Sequence, residues 1–262
     1  MPMQNEKFLQ YGDELYAALR TRQMVAPLTE REPAITIEDA YQISLRLLER
    51  RKQDGERVIG KKIGVTSKVV MNMLNVHRPD FGFLTDRMYI KSGSDLPAST
   101  QMIQPRAEGE IAFKLKKSLK GPGVTEQQVL DATESVHPCF EVVDSRIRDW
   151  KIKIQDTIAD NASCGMFVLG DAADPRKVDF VTCGIVVWKN GEVLSTGAGA
   201  AALGSPLTCV AWLANTLGEH GITLDAGDIV LSGSLVPLEP VKGGDRMNLK
   251  IAGIGEASVN FV

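Results

Sequence analysis

The stretch "AEGEIAF", Ala107–Phe113, sets two glutamates, Glu108 and Glu110, one residue apart inside an apolar run. Read as a β-strand, it sends side chains two positions apart to the same sheet face, with their Cα atoms about 7 Å apart. Glu108 and Glu110 then look one way beside Ala112, while Ile111 and Phe113 look the other. Two like charges on a partly buried face repel and resist desolvation, so a positive group is expected between them. A third carboxylate, Glu141, stands in "PCFEVVDS" (Pro138–Ser145), another short apolar run that reads as buried strand. Either each glutamate pairs with a Lys or Arg, or the three converge on a cation. Several buried ion pairs cost more than apolar replacements of similar shape, which favours convergence. An all-oxygen set with no Cys or His beside it suits a hard divalent ion, Mg²⁺ or Mn²⁺, that keeps exchangeable waters a chelating substrate can displace.

Outward from these strands, 262 residues with 44% hydrophobic content are enough for a substantial core. A net charge of -3 and a pI near 5.7 give no electrostatic reason to expect nucleic acid or an anionic membrane as partner, and leave a small molecule or a protein. Cys139, Cys164, Cys183 and Cys209 are widely spaced with no CxxC pair, the pattern of reduced, buried thiols in a cytoplasmic protein. The opening "MPMQNEKFLQ" lacks the apolar centre of a signal peptide, so export is not expected. Residues 193–218 carry no charge, but Gly, Ser, Thr, Pro and Asn interrupt them, and core segments around a turn are expected there rather than a membrane span.

The fold class expected is α+β. Residues 1–56 read as a helical lobe: Phe8, Tyr11, Leu15, Ala18 and Leu19 recur at helical spacing, and a second helix opens on a Thr36-x-x-Asp39 capping box and buries Ala40, Ile43, Leu47 and Leu48. Residues 57–262 read as a mostly antiparallel or mixed sheet system of short β-branched runs, with Asn190-Gly191 as a type I′ hairpin turn. Helices capped by Ser67, by Thr125 with Gln128, and by Ser205 before Pro206 punctuate it. No linker forces a boundary, so one domain, 1–262, is expected.

Familiar nucleotide signatures fail on detail. Gly55-x-x-x-x-Gly60-Lys61 is followed by Lys62 where a phosphate loop needs Ser or Thr. Gly197-x-Gly199-x-x-Ala202 is cut off from the next helix by Gly204-Ser205-Pro206, so its glycines do not open that helix. His77, His137 and His220 form no zinc-binding pair, and no GxSxG elbow exists.

Six motifs, "GKKIGVTS", "RPDFGFL", "QPRAEGEIAF", "PCFEVVDSRIRDW", "DTIADNASCG" and "LSGSLVPLEPV", resemble in order and spacing the 2-hydroxypenta-2,4-dienoate hydratases (2-oxopent-4-enoate hydratases) of aromatic meta-cleavage pathways, in the fumarylacetoacetate hydrolase superfamily. The resemblance covers nearly the whole chain. It implies a mixed β-roll preceded by a helical lobe, and a metal triad on Glu108, Glu110 and Glu141. It places the family's lysine on Lys62, which makes Lys61 the surface neighbour, the "PDFG" aspartate on Asp80, and the "DNAS" serine on Ser163. Lys62 and Asp80 are the implied proton-handling groups, and Ser163 either orients substrate or closes a turn. The implied substrate is a 2-hydroxydienoic acid hydrated to 4-hydroxy-2-oxopentanoate, in a homo-oligomer that associates with 4-oxalocrotonate decarboxylase. That decarboxylase is itself the rival reading; "RPDFG" and "SRIRDW" look more like the hydratase. Arg146 and Arg148 either meet an anionic substrate or sit at the surface beside Asp149. Leu84, Phe140, Val142 and Leu235 are expected to shape the pocket.

Overall fold

The computed structural model describes residues 5–262; the expectations for Met1–Gln4, as part of the opening segment and of the helical lobe, lie outside them. The helices are α1 (Asn5–Thr21), α2 (Leu28–Arg31), α3 (Ile37–Gln53), α4 (Lys68–Leu74), α5 (Ala98–Gln101), α6 (Glu126–Ala132), α7 (Ile154–Ala159) and α8 (Pro206–Glu219). Strands β1 (Val58–Gly64), β2 (Asp80–Thr85), β3 (Tyr89–Lys91), β4 (Asp95–Leu96), β5 (Arg106–Leu115), β6 (Thr133–Val143) and β7 (Cys164–Leu169) fill the first two thirds of the chain. The last third holds β8 (Gly184–Lys189), β9 (Glu192–Ala198), β10 (Ile229–Leu231), β11 (Glu239–Pro240), β12 (Arg246–Ile251) and β13 (Gly255–Phe261).

The α+β class holds, with two mixed sheets. One runs β2-β1-β10-β5-β6-β7-β3 with β11 on β5, and the other β4-β13-β12-β8-β9. Most pairings are antiparallel, while β1–β10, β3–β7 and β13–β4 are parallel. The expected caps are all present: Thr36 and Asp39 form a reciprocal box, Thr125 and Gln128 another, and Ser67 and Ser205 accept from their helices' first turns. Each cap satisfies N–H groups that the first turn leaves without partners, typically worth about 1 kcal/mol. Asn190 and Gly191 both take positive φ, 54° and 91°, as a type I′ turn requires.

The long β5–β6 pair, in register from Arg106↔Val143 to Leu115↔Thr133, positions the site. Its two faces bury different cores. Ala107, Ile111 and Phe113 pack with Phe140, Val142, Ile185 and Leu249 against the second sheet. Ala112 and Cys139 point the other way and pack with Leu84, Met88, Cys164, Phe167 and Leu231. The strand alternation expected for "AEGEIAF" is therefore realised, and Phe140 and Val142 are corrected: as immediate neighbours of Glu141 they face the opposite core and cannot line its pocket. A third cluster joins Leu15, Ala40, Ile43 and Leu47 of α1 and α3 to Ile154 and Ile158 of α7. Each fully buried Leu, Ile or Phe here contributes about 2 kcal/mol of transfer free energy.

The stretch Gly199–Glu219 has the length and hydropathy of a membrane-crossing segment. It is broken, however, into a 3₁₀ turn, Gly199–Ala201, and the 14-residue α8, with Leu203 and Gly204 left-handed between them, and Cys209, Val210, Leu213 and Leu217 of α8 are in the core. The same break separates Gly197 and Gly199 from the helix, as a dinucleotide site would not.

Candidate metal centre

The register sets Glu108 directly across from Glu141, and Glu110 across from Cys139, one step along the same face. One carboxylate oxygen from each of Glu108, Glu110 and Glu141 lies within 4.8 Å of the others. Glu110 and Glu141 are fully buried and Glu108 is half-buried. Like charges this close in a low-dielectric setting need a cation. The positive group is Lys62, also buried, whose Nζ lies 3.1 Å from Glu141 Oε1. That contact is an ion pair at an angle short of a hydrogen bond, so both Glu141 oxygens, together with Glu110 Oε1, have no hydrogen-bond partner.

One lysine does not neutralise three carboxylates. Burial pushes the Glu108 carboxyl up to about 8, with the Glu141 charge adding to it and Lys62 and the Ser234 hydroxyl opposing. Burial, Glu141 and Glu108 drive Glu110 well above the carboxylate range. Burial by itself would lower the Lys62 ammonium, but the charges of Glu141 and Asp80 outweigh it and hold the group above its ordinary value. Native interiors rarely leave three buried acceptor atoms unpaired. A hard divalent cation fits this donor set, because it supplies the missing charge and takes oxygen ligands from all three side chains.

Asp80 opens β2 and faces Gly64 at the end of β1. A Cβ on Gly64 would stand 2.3 Å from Asp80 Oδ1 and 3.2 Å from Lys62 Nζ, so the glycine makes the room in which those two head groups meet. Asp80 is buried with Oδ1 unpartnered, and burial raises its carboxyl against the pull of Lys62. Tyr41 of α3 stacks on Phe81, 4.3 Å between ring centroids, and fixes the start of the strand that carries Asp80. On the far side, Gly233 donates its N–H to Glu110 Oε2 at 2.9 Å. Gly233 has φ 94°, and a Cβ there would strike Thr66, so only glycine brings that N–H to the carboxylate. Gly64, Gly233 and Tyr41 were not singled out from the sequence; the glycine spacing in "GKKIGV" and "LSGS" is the one local trace of the first two.

Two expectations are corrected by burial. Lys61 is no surface neighbour: it is 4% exposed and pairs with Asp228 Oδ2 at 2.5 Å. Arg146 neither faces a substrate site nor lies at the surface. It is 1% exposed, its Nε 2.5 Å from Asp160 Oδ1, its Nη2 2.5 Å from the Asp160 carbonyl, and its Nη1 donating to the carbonyls of Asp144 and Cys164. Arg148 is exposed where the chain leaves the buried run Asp144–Ile147 for the 3₁₀ turn Arg148–Trp150, so the surface reading holds for that residue alone. Ser163 is buried at the end of three consecutive left-handed residues, Asn161–Ser163, and its hydroxyl bonds Thr157 Oγ1 at 3.0 Å. Asn161 clamps this turn to β2 through both Phe83 backbone groups, at 2.8 and 3.0 Å. Leu84 lies in the cluster beneath the carboxylates and Leu235 in the core toward the second sheet.

Fold and site together define an α+β protein whose central strand pair β5–β6 gathers three glutamates in an arrangement that a divalent cation fits, with a lysine and an aspartate at its side. Residues 61–262 match the family described as fumarylacetoacetate (FAA) hydrolase, C-terminal, and the chain belongs to that family. It is 72% identical over 212 residues to a 2-hydroxypent-2,4-dienoate hydratase of Pseudomonas putida, covering 80% of this chain and 96% of the relative. It is 56% identical to a 2-hydroxyhexa-2,4-dienoate hydratase of Comamonas testosteroni over 99% of both chains. Among solved structures it resembles the 4-oxalocrotonate decarboxylase from Pseudomonas putida G7 complexed with magnesium and adipate, with a TM-score of 0.96, 35% identity and 99% of both chains covered.

Proposed function

We propose that this centre hydrates 2-hydroxypenta-2,4-dienoate to 4-hydroxy-2-oxopentanoate in the catabolism of aromatic compounds, with Mg²⁺ or Mn²⁺ held by Glu108, Glu110 and Glu141. The observation that carries the reading is the set of buried, unpartnered carboxylate oxygens on Glu110 and Glu141 beside Lys62, in a chain so close to named hydratases. A divalent ion bound there supplies Lewis-acid stabilisation of negative charge on the substrate's 2-oxygen. The remaining chemistry falls to the protein. The enol proton must leave the 2-oxygen and a proton reach C5, giving the conjugated 2-oxo-3-enoate; the hydroxyl of water then adds to C4 and a proton to C3. Asp80, whose raised carboxyl gains and loses a proton nearer neutrality than a free aspartate, carries protons through its unpartnered Oδ1. Lys62 stays cationic and holds anionic charge on the substrate. We assign Ser163 to closing the turn that backs β2, its hydroxyl bonded to Thr157 and its neighbour Asn161 bonded to Phe83.

We read residues 1–56 as a helical lobe and the rest as a β-roll that work as one domain, because Tyr41 of α3 stacks on Phe81 beside Asp80 and Arg51 of α3 bonds Glu56 and Thr85. Four free, buried cysteines support a cytoplasmic setting. A homo-oligomer in complex with the decarboxylase of the pathway would pass an unstable dienol directly, and co-purification of the two from a co-expressing strain tests it.

The second reading, decarboxylation of 4-oxalocrotonate, is favoured by the structural likeness to that decarboxylase. Steady-state assays on both substrates separate the two: hydration of the dienol without CO₂ release supports the proposal, and CO₂ release from 4-oxalocrotonate without hydration overturns it. Asp80→Asn is expected to lower kcat about 10²- to 10⁴-fold with little change in KM, as loss of a proton carrier does.

A further inference from the structure

The protein carries net charge -3, with three of its glutamates gathered at the site, yet the substrate proposed above is an anion. Something must favour its approach. Exposure along β5 shows the direction from which the centre is open. Glu110 is fully buried, Glu108 half-buried, and two residues further on the same face Arg106 is half-buried at the rim of a cavity of about 420 Å³. The carboxylates do not line this cavity; Arg106, two residues from Glu108 on the same face of β5, does.

Its walls include Ser99, Gln104, Arg106, Trp150 and Lys242, and no Asp or Glu side chain. Among the described residues no ion pair involves Arg106 or Lys242. Arg106 is nevertheless held in place, its guanidinium 4.8 Å from the centre of the Trp150 ring. Trp150, itself in a left-handed backbone conformation like Asp149, is pinned in turn by its indole N–H donating to the Gln104 carbonyl at 3.0 Å. A third cation, Arg22, reaches the same rim by donating to the Ser99 carbonyl at 3.2 Å. The loop from Gly233, which touches Glu110, returns along β5 to pair Pro240 with Arg106, so metal centre and cavity share one strand and one loop.

We infer that this cavity is the cationic mouth of the active site, in which Arg106 on Trp150, with Lys242, draws anionic 2-oxo and 2-hydroxydienoic acids toward Glu108. Arg106 and Lys242 act by attraction at a distance, which salt screens, and not by holding the reacting atoms. The inference rests on the hydratase reading for the identity of the substrate but not for its charge.

The test compares the wild type with Arg106→Gln, Lys242→Gln and the double variant, at about 10 mM and about 500 mM ionic strength. At low salt the double variant should lose about tenfold in kcat/KM for 2-hydroxypenta-2,4-dienoate, each single variant less, and the difference should close at high salt. Arg176→Gln, on the exposed turn Pro175–Lys177, is the control for net charge. In parallel, stopped-flow binding of oxalate to the Mg²⁺-loaded protein should show the same salt-dependent loss in association rate. A protein that fails to hydrate the dienol but keeps the oxalate pattern overturns the hydratase reading and leaves the mouth standing. Equal losses at both ionic strengths, or none, overturn the mouth.

Discussion

Two buried charge centres lie along β6 and the connection that leads from it to β7, and they differ in how their polar atoms are satisfied. Around Arg146, the guanidinium binds Asp160 by side chain and carbonyl and reaches the carbonyls of Asp144 and Cys164, while Asp160 Oδ2 also accepts the Arg146 backbone N–H at 2.8 Å. Around Glu141, a single lysine faces three carboxylates, and three of their oxygens have no hydrogen bond. Burial raises the carboxyl in both places, to about 6 at Asp160 and well above the carboxylate range at Glu110, where like charges add to it. A satisfied buried charge does structural work; an unsatisfied one marks a place where something else binds.

That contrast is sharpest in two substitutions with opposite outcomes. Glu110→Gln keeps shape and removes one charge, and should cut turnover about 10³-fold while metal-free thermal stability stays the same or rises. Arg146→Met should do the reverse: it leaves Asp160 uncompensated and should cost about 3–5 kcal/mol in urea unfolding, with residual activity following the folded fraction. Equal effects of both on stability would dissolve the distinction.

A smaller effect separates the centres by pH. The Glu108 carboxyl sits at about 8 in the folded metal-free protein against an ordinary 4.5. Between those values the folded chain keeps a proton that the unfolded chain has released, so metal-free stability should fall as pH rises from about 4.5 to about 8, by on the order of a few kcal/mol. Because a divalent ion competes with that proton, added Mg²⁺ should restore stability most at the upper end of the window. A flat metal-free profile, measured by denaturant midpoint from pH 5 to 8, would contradict the crowding of charge at Glu108.

Local signals made the central strands readable. Alternation in "AEGEIAF", the four capped helices and the Asn190-Gly191 turn all depend on neighbours within a few residues, and each was legible in the chain. Long-range pairing was not. Arg146 looked like a substrate or surface arginine because its partner Asp160 lies on the far side of α7, and Lys61 looked exposed because Asp228 comes from a turn 167 residues away. Gly64 and Gly233 carry no side chain to notice, and their importance lies in what a Cβ would strike. Arg106 and Trp150 are 44 positions apart, and only the fold stacks one on the other.

The most direct test is a Mn²⁺ titration followed by electron paramagnetic resonance, on the wild type and on Glu110→Gln. One tightly held ion per chain in the wild type, weakened at least a hundredfold by the substitution and displaced by Mg²⁺, is the result predicted. Binding of equal strength in both proteins, or none in either, would mean that these three glutamates do not hold an ion.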